Sequence, residues 1–260
     1  MINQYTRTTL LIDKEKLKKL FNKRVAIFGL GGVGGNVVES LARSGIGEFD
    51  LIDNDEFSIT NINRQILSSL KTIGKAKVDV AEERIHDINP TIVVHKHKTF
   101  YLPENKKDFD FSKFDYIVDA IDTVSAKIDI ICEANRLNIP IISAMGCGNR
   151  LDPTKLVLTD IYKTSNDPLS KVMRHELRKR GITSLKVVYS TENAIKPKEM
   201  IEKENITSKV TESFKGRRST PGSTSFVPPV AGTLIGYQVF TDLLDSEDND
   251  LNYRDNNPFD

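Results

Sequence analysis

From Arg24 onward, short runs of β-branched and aromatic residues alternate with amphipathic stretches. Residues 25–28, 49–53 and 92–95 read as strands, whereas 33–43 and 76–88 carry apolar positions at helical spacing. The rhythm returns in 116–118, 124–137 and 139–143. Alternation of this kind builds parallel sheets, because each crossover lays a helix on a sheet face. Residues up to about Gly148 are therefore expected to form an α/β, Rossmann-like unit, a mostly parallel sheet with helices on both faces. Ligands of such a sheet belong at the carboxyl ends of its strands.

Beyond Gly148 the pattern changes. Residues 155–160 and 185–189 look like strands, separated by a basic helix over about 167–180. The stretch 191–215 is polar with little apolar periodicity, which predicts a long loop or crossover that orders with a partner. Pro228 and Pro229 then open a last helix. The longest apolar stretch, 226–244, is broken by those prolines and by Gly232, Gly236, Gln238 and Asp242, so it reads as a packed helix and not a membrane span.

Composition narrows the class. With 260 residues, 38% hydrophobic and 28% charged, the chain has enough apolar material for a core. A net charge of +1 supplies no global field for nucleic acid, so any RNA contact needs a local patch. One candidate is the cationic face of the basic helix, with Lys171, Arg174, His175, Arg178, Lys179 and Arg180 opposite Leu169, Val172, Met173 and Leu177; Lys215, Arg217 and Arg218 would extend it. The charged residues of 1–21 leave no apolar core for a signal peptide, and two cysteines, Cys132 and Cys147, exclude a disulfide framework or a C-x-x-C zinc site. A reduced, cytoplasmic setting is expected.

Chemistry begins where the first strand runs into Gly29-Leu30-Gly31-Gly32-Val33-Gly34 and then a helix. Glycines there let the backbone turn tightly and approach a phosphate or ribose, and the helix N-terminus favours an anion. Asp53 closes the next strand, where a carboxylate commonly accepts from ribose hydroxyls. These features say nucleotide without choosing between a dinucleotide and ATP. The next segment chooses. Asp53-x-Asp55 is followed by Asn61-Ile62-Asn63-Arg64-Gln65 and by Lys77 at a helix start, and a dehydrogenase needs neither cation. Arg64 and Lys77 would clamp a polyphosphate and its departing pyrophosphate. Asp122, in Asp119-Ala120-Ile121-Asp122 at a strand end, would hold magnesium, which binds through one or two carboxylates plus phosphates. The set predicts nucleotidyl transfer to a carboxylate.

Together, Gly29, Gly31, Gly32, Gly34, Asp53, Asn61, Arg64, Lys77 and Asp122 resemble the motif set of the ubiquitin-activating-enzyme-like adenylating family, which includes the sulfur-carrier adenylyltransferases. Ala42-Arg43-Ser44-Gly45-Ile46-Gly47, Leu151-Asp152-Pro153-Thr154-Lys155, Asp160-Ile161-Tyr162-Lys163-Thr164 and Ser223-Thr224-Ser225-Phe226-Val227-Pro228 are similar to its tRNA threonylcarbamoyladenosine dehydratase branch. The resemblance implies ATP-dependent cyclisation of threonylcarbamoyladenosine in tRNA through a carboxyl-adenylate, with ATP and magnesium as cofactors. It places the four glycines at the nucleotide, Asp53 on the ribose, Arg64 and Lys77 on the phosphates with Asn61 assisting, and Asp122 on the metal, with Asp55 nearby. It also implies a homodimer in which Arg7 reaches the partner's ATP. Residues 1–150 would be the adenylating domain, 151–244 a smaller α+β extension for tRNA binding and dimerisation, and 245–260 an acidic tail.

The alternatives are adenylation of the C-terminus of a sulfur-carrier or ubiquitin-like protein, and a non-catalytic nucleotide-binding scaffold for a cysteine desulfurase or sulfur acceptor. Missing zinc and catalytic cysteines count against the first. Asp119 reads as structural, Cys132 as core and Cys147 as bordering the site. His95 and His97 share a strand face and read as surface residues, not a metal pair.

Overall fold

A computed structural model of the chain describes residues 2–198, 221–246 and 257–259. The elements fall close to where the apolar rhythm places them: β1 (Arg24–Phe28), α2 (Gly34–Ser44), β2 (Glu48–Ile52), α3 (Lys77–Ile88), β3 (Val93–His97), β4 (Tyr116–Asp119), α4 (Val124–Arg136) and β5 (Ile141–Ala144). Then follow β6 (Leu156–Asp160), α5 (Pro168–Lys179), β7 (Lys186–Ser190) and α6 (Val227–Leu244). Ahead of them lies a helix the pattern had not suggested, α1 (Lys14–Phe21), capped by Asp13 and burying Leu17, Leu20 and Phe21.

One sheet holds all seven strands in the order β3-β2-β1-β4-β5-β7-β6. Every pairing is parallel except β6 with β7. The strands beyond Gly148 thus extend the same sheet, β7 pairing directly with β5. Val25 and Ile27 of β1 face a core shared with Leu17 of α1, Val38 of α2, Ile85 of α3 and Ile235 of α6. Ala26 and Phe28 face the opposite side, where Tyr101, Phe109, Phe111 and Phe114 pack with α4. A third cluster joins α4 to α5 through Ile131, Met173 and Leu177. Helices therefore cover both faces.

Two contacts fix the mouth of the sheet. Gly29 N donates to Ile52 O and Ala120 N to Phe28 O, both at 2.8 Å, which aligns the ends of β1, β2 and β4. Helix α6 lies against α2 so closely that a Cβ on Gly232 would stand 2.3 Å from Val33 O. Among the described residues no helix is long and apolar enough to cross a membrane. Residues 199–215 of the expected loop, the cations Lys215, Arg217 and Arg218, and most of the acidic tail lie outside the described residues.

Candidate nucleotide site

The loop after β1 is shaped by its glycines. Gly29 has φ of +91°, and a Cβ there would meet Ala120 O at 2.7 Å. A Cβ on Gly34 would meet Gly29 O at 1.8 Å, so the first turn of α2 sits directly on the strand end. Over Gly31 there is open space within 4 Å, while Gly32 faces Pro228 and Arg64. The loop is tied to β2 through Leu30 N, which donates to Asp53 Oδ2 at 2.7 Å.

Asp53 collects three donors. Besides Leu30 N it accepts Asp55 N at 2.8 Å and Lys77 Nζ at 3.4 Å. Lys77 also donates to Asp55 at 2.8 Å. Lys77 starts α3, and its backbone N–H is held by Asp55 O at 3.0 Å. Its side chain is 7% exposed, so it is a buried ammonium paired with two carboxylates.

Arg64 approaches from the segment behind the 3-10 turn Ile59–Asn61. Asn61 Oδ1 accepts Ser58 N at 2.9 Å, and Asn61 O accepts the backbone N–H groups of Arg64 and Gln65, so Asn61 builds the turn that carries the arginine. Arg64 Nη1 donates to Thr60 O at 2.9 Å and to Asn63 Oδ1 at 3.0 Å. Burial lowers the proton affinity of its guanidinium, and the negative charge of Asp122 opposes that shift. Asp122 itself is exposed at the end of β4.

The glycine loop, Asp53, Asp55, Asn61, Arg64, Lys77 and Asp122 therefore gather at one mouth. Arg7 does not. Its segment docks on Ala42 through the Tyr5 hydroxyl, in the last turn of α2, about 12 Å along that helix from Gly34.

Sequence reasoning missed several supporting residues. Asn63 Nδ2 donates to Ser223 O at 2.9 Å, which ties the arginine segment to residues 221–226. The same strip is held by Asn149, whose N–H donates to Gly222 O at 2.7 Å and whose Oδ1 accepts Gly222 N at 2.6 Å. Residues 221–226 thus wall the site on its β5 side. The buried side-chain atoms that lack a partner among the described residues are Gln65 Oε1, Ser68 Oγ and Ser223 Oγ, all on the two segments that Asn63 joins. Beneath the mouth, Lys127 and Asp119 form an ion pair at 2.9 Å with both side chains fully buried, and Ser143 Oγ also donates to Asp119. Asp119 is accordingly structural, as the sequence reading had it.

Other expectations resolve differently. Cys147 is buried, and burial pushes its thiol up to about 12, so it stays neutral. Cys132 is half-buried at the edge of the α4–α5 cluster. His95 and His97 pair with Glu48 at 2.6 Å and Asp50 at 2.8 Å, and Arg24 bridges the same two carboxylates. On α5 the cationic face is partly engaged: Arg174 donates to Thr164 O at 3.0 Å, Arg178 lies over the Tyr162 ring at 4.9 Å, and Lys179 and Arg180 pair with Glu176. Val172, expected on the apolar side, is exposed.

Fold and site together define a doubly wound α/β nucleotide-binding protein whose glycine-loop mouth carries a fixed arginine and a buried lysine. Residues 5–249 match the ThiF family model, and the chain belongs to that family. It is 43% identical over 247 residues to the tRNA threonylcarbamoyladenosine dehydratase of Bacillus subtilis, covering 94% of this chain and 96% of that protein. The crystal structure of E. coli tRNA N6-threonylcarbamoyladenosine dehydratase in complex with ATP superposes with a TM-score of 0.80 at 29% identity, covering 93% of each chain. The sulfur carrier protein ThiS adenylyltransferase of E. coli is 32% identical over 152 residues, 57% of this chain and 60% of that protein.

Proposed function

We propose that this chain dehydrates threonylcarbamoyladenosine in tRNA at the expense of ATP. The observation that carries the reading is the convergence of Arg64, Lys77 and Asp122 on the glycine loop, in a chain that matches a dehydratase over nearly its whole length.

In this reading the side-chain carboxylate of the modified nucleoside attacks the α-phosphorus of ATP, and pyrophosphate leaves. An atom of the neighbouring ureido group then attacks the activated carbonyl carbon, closes the ring and expels AMP. The carboxylate oxygen departs on AMP, so the nucleoside loses one water overall. Lys77 and Arg64 neutralise the charge that builds on the phosphates. Asp53 receives the ribose with its remaining lone-pair capacity. Ring closure is intramolecular, so the protein's task is to position the group and exclude water.

Magnesium fits this donor set. Among the described residues no three acidic, histidine or cysteine side chains gather to hold a metal by themselves. A single exposed carboxylate, Asp122, suits an ion that takes its other ligands from phosphates and water, and such an ion would polarise the phosphoryl group. Arg7, on the far side of its own α2, serves the site of a second copy in a homodimer. The exposed Leu10 and Leu11 beside it would be covered there.

Incubation with ATP, magnesium and threonylcarbamoyladenosine-bearing tRNA, followed by digestion and mass measurement of the nucleoside, tests the proposal. Loss of one water, dependent on ATP and abolished in Asp122→Ala, is expected. An unchanged mass alongside intact ATP binding would overturn it and turn attention to adenylation of a carrier-protein C-terminus.

A further inference from the structure

The first residues and the last described ones meet on the side of the molecule remote from the glycine loop. Tyr5 is fully buried, its ring 4.7 Å from that of Phe259. Its hydroxyl donates to Ala42 O at 3.4 Å and accepts from Asn89 Nδ2 at 3.1 Å. Phe259 is itself 1% exposed and rests on Gly45, where a Cβ would come within 3.1 Å of the ring. Asn3 Nδ2 donates to Pro258 O at 2.6 Å. On its other side Asn257 Nδ2 donates to the Lys18 carbonyl of α1 at 3.2 Å, while its Oδ1 accepts Phe259 N at 3.1 Å.

Residues 3–10 form a compact unit bonded within itself. Asn3 N donates to Thr6 Oγ1 at 2.9 Å, Tyr5 N to Asn3 Oδ1 at 3.0 Å, Thr8 N to Tyr5 O at 2.8 Å and Thr9 Oγ1 to Thr6 O at 2.8 Å. Arg7 directly precedes the 3-10 turn Thr8–Leu10 and is exposed, with no side-chain partner among the described residues. The tie from Asn3 and one contact of the Tyr5 ring both end on the C-terminal residues. A short segment with exposed leucines and so few anchors belongs to the least stable part of a fold, and losing anchors there costs geometry before it costs global stability.

We propose that residues 257–259 are positioning residues for Arg7: they clasp the N-terminal arm so that the arginine is held in place for the nucleotide site of a second copy. Phe259 fixes Tyr5, Tyr5 fixes the 3-10 turn, and the turn fixes the direction in which Arg7 leaves the surface. The proposal rests on the role given to Arg7 above. A charged donor contributes to a transition state only insofar as it is placed beforehand, so a loosened clasp lowers turnover through Arg7 and through nothing else.

The test compares full-length Arg7→Ala, Phe259→Ala, Phe259→Leu and the Arg7→Ala/Phe259→Ala double variant, with turnover measured at saturating ATP and folding checked by melting. Arg7→Ala is expected to lose about 100-fold, the scale of a lost transition-state donor. Phe259→Ala is expected to lose about tenfold, Phe259→Leu to recover most of it, and the double variant to match Arg7→Ala alone, since nothing remains to be positioned. If Phe259→Ala fails to fold, Asn3→Asp, which removes the Nδ2 donor to Pro258 O and keeps the Oδ1 acceptor for Tyr5 N, is read by the same cycle. Impaired Arg7→Ala with unaltered Phe259→Ala, or losses that multiply in the double variant, would overturn the clasp. Full activity in Arg7→Ala would instead overturn the role given to Arg7.

Discussion

Lys77 Nζ lies 2.8 Å from Asp55, whose side chain is 63% exposed although the ammonium is buried. Its second partner, Asp53, is 9% exposed and 3.4 Å away. The two carboxylates differ in what they lose when the partnership changes: Asp55 can turn to water and yield its place to a phosphate, whereas Asp53 cannot.

Lys77→Ala is therefore expected to do two things. Pyrophosphate release falls at least 100-fold, by loss of the charge proposed above to meet the phosphates. Stability falls as well, because Asp53 keeps its burial and loses its cation, a cost of about 1–3 kcal/mol. Each kcal/mol corresponds to a melting shift of roughly 2–4 °C in a chain of this size. Asp55→Ala, by contrast, removes an exposed partner and is expected to leave the melting temperature nearly unchanged. Calorimetry on the two variants decides the matter; an unshifted Lys77→Ala would show that Asp53 needs no cation.

Asn63 carries the second prediction. One side-chain amide accepts from Arg64 and donates to the Ser223 carbonyl, so it couples the arginine to the strip 221–226. Asn63→Ala is expected to lower turnover by about 10–100-fold through misplacement while ATP still binds. Asn63→Asp separates the two halves of that amide: it keeps an acceptor for Arg64 and loses the donor to Ser223 O. Near-normal turnover in Asn63→Asp would assign the effect to Arg64, and a loss equal to that of Asn63→Ala would assign it to the strip.

The sheet and the main cations were legible because their signals are local. Gly29 to Gly34 stands between a strand and a helix, and Arg64 and Lys77 sit in short motifs. Burial was not legible. Lys77 read as a phosphate cation with no sign that it is buried, and Lys127 drew no reading, since the carboxylates that bury with them, Asp53 and Asp119, are 24 and 8 positions away. Asn63 lay inside a quoted motif, yet its partner is 160 positions on. Helix α1 escaped notice because dense lysines masked the spacing of Leu17, Leu20 and Phe21. On α5 the reverse happened: Arg174 and Arg178 looked free, and the fold engages them with Thr164 and Tyr162.

Acid sensitivity follows from the pairs beneath β1 and β2. Asp50 is 1% exposed; Arg24 Nε donates to it at 2.6 Å and His97 Nε2 at 2.8 Å. Burial alone would raise its proton affinity, but the hydrogen bonds from His97 and Arg24 and the Arg24 charge prevail and hold the carboxyl below its ordinary 3.8. With the folded value depressed, the unfolded chain binds the proton first as pH falls. The stabilisation is thus complete above about 3.8 and drains away as pH drops through the folded value. His95, held below its ordinary 6.5 by burial and by Arg24, adds a loss of the same sign at pH values just under 6.5. Asp50→Asn is expected to cost about 3 kcal/mol at neutral pH, because Arg24 loses a buried partner. It is also expected to flatten the fall in urea stability between about pH 4 and pH 3. A slope below pH 4 identical to that of the parent chain would show that the Arg24, His97 and Asp50 pairing does not carry the acid response.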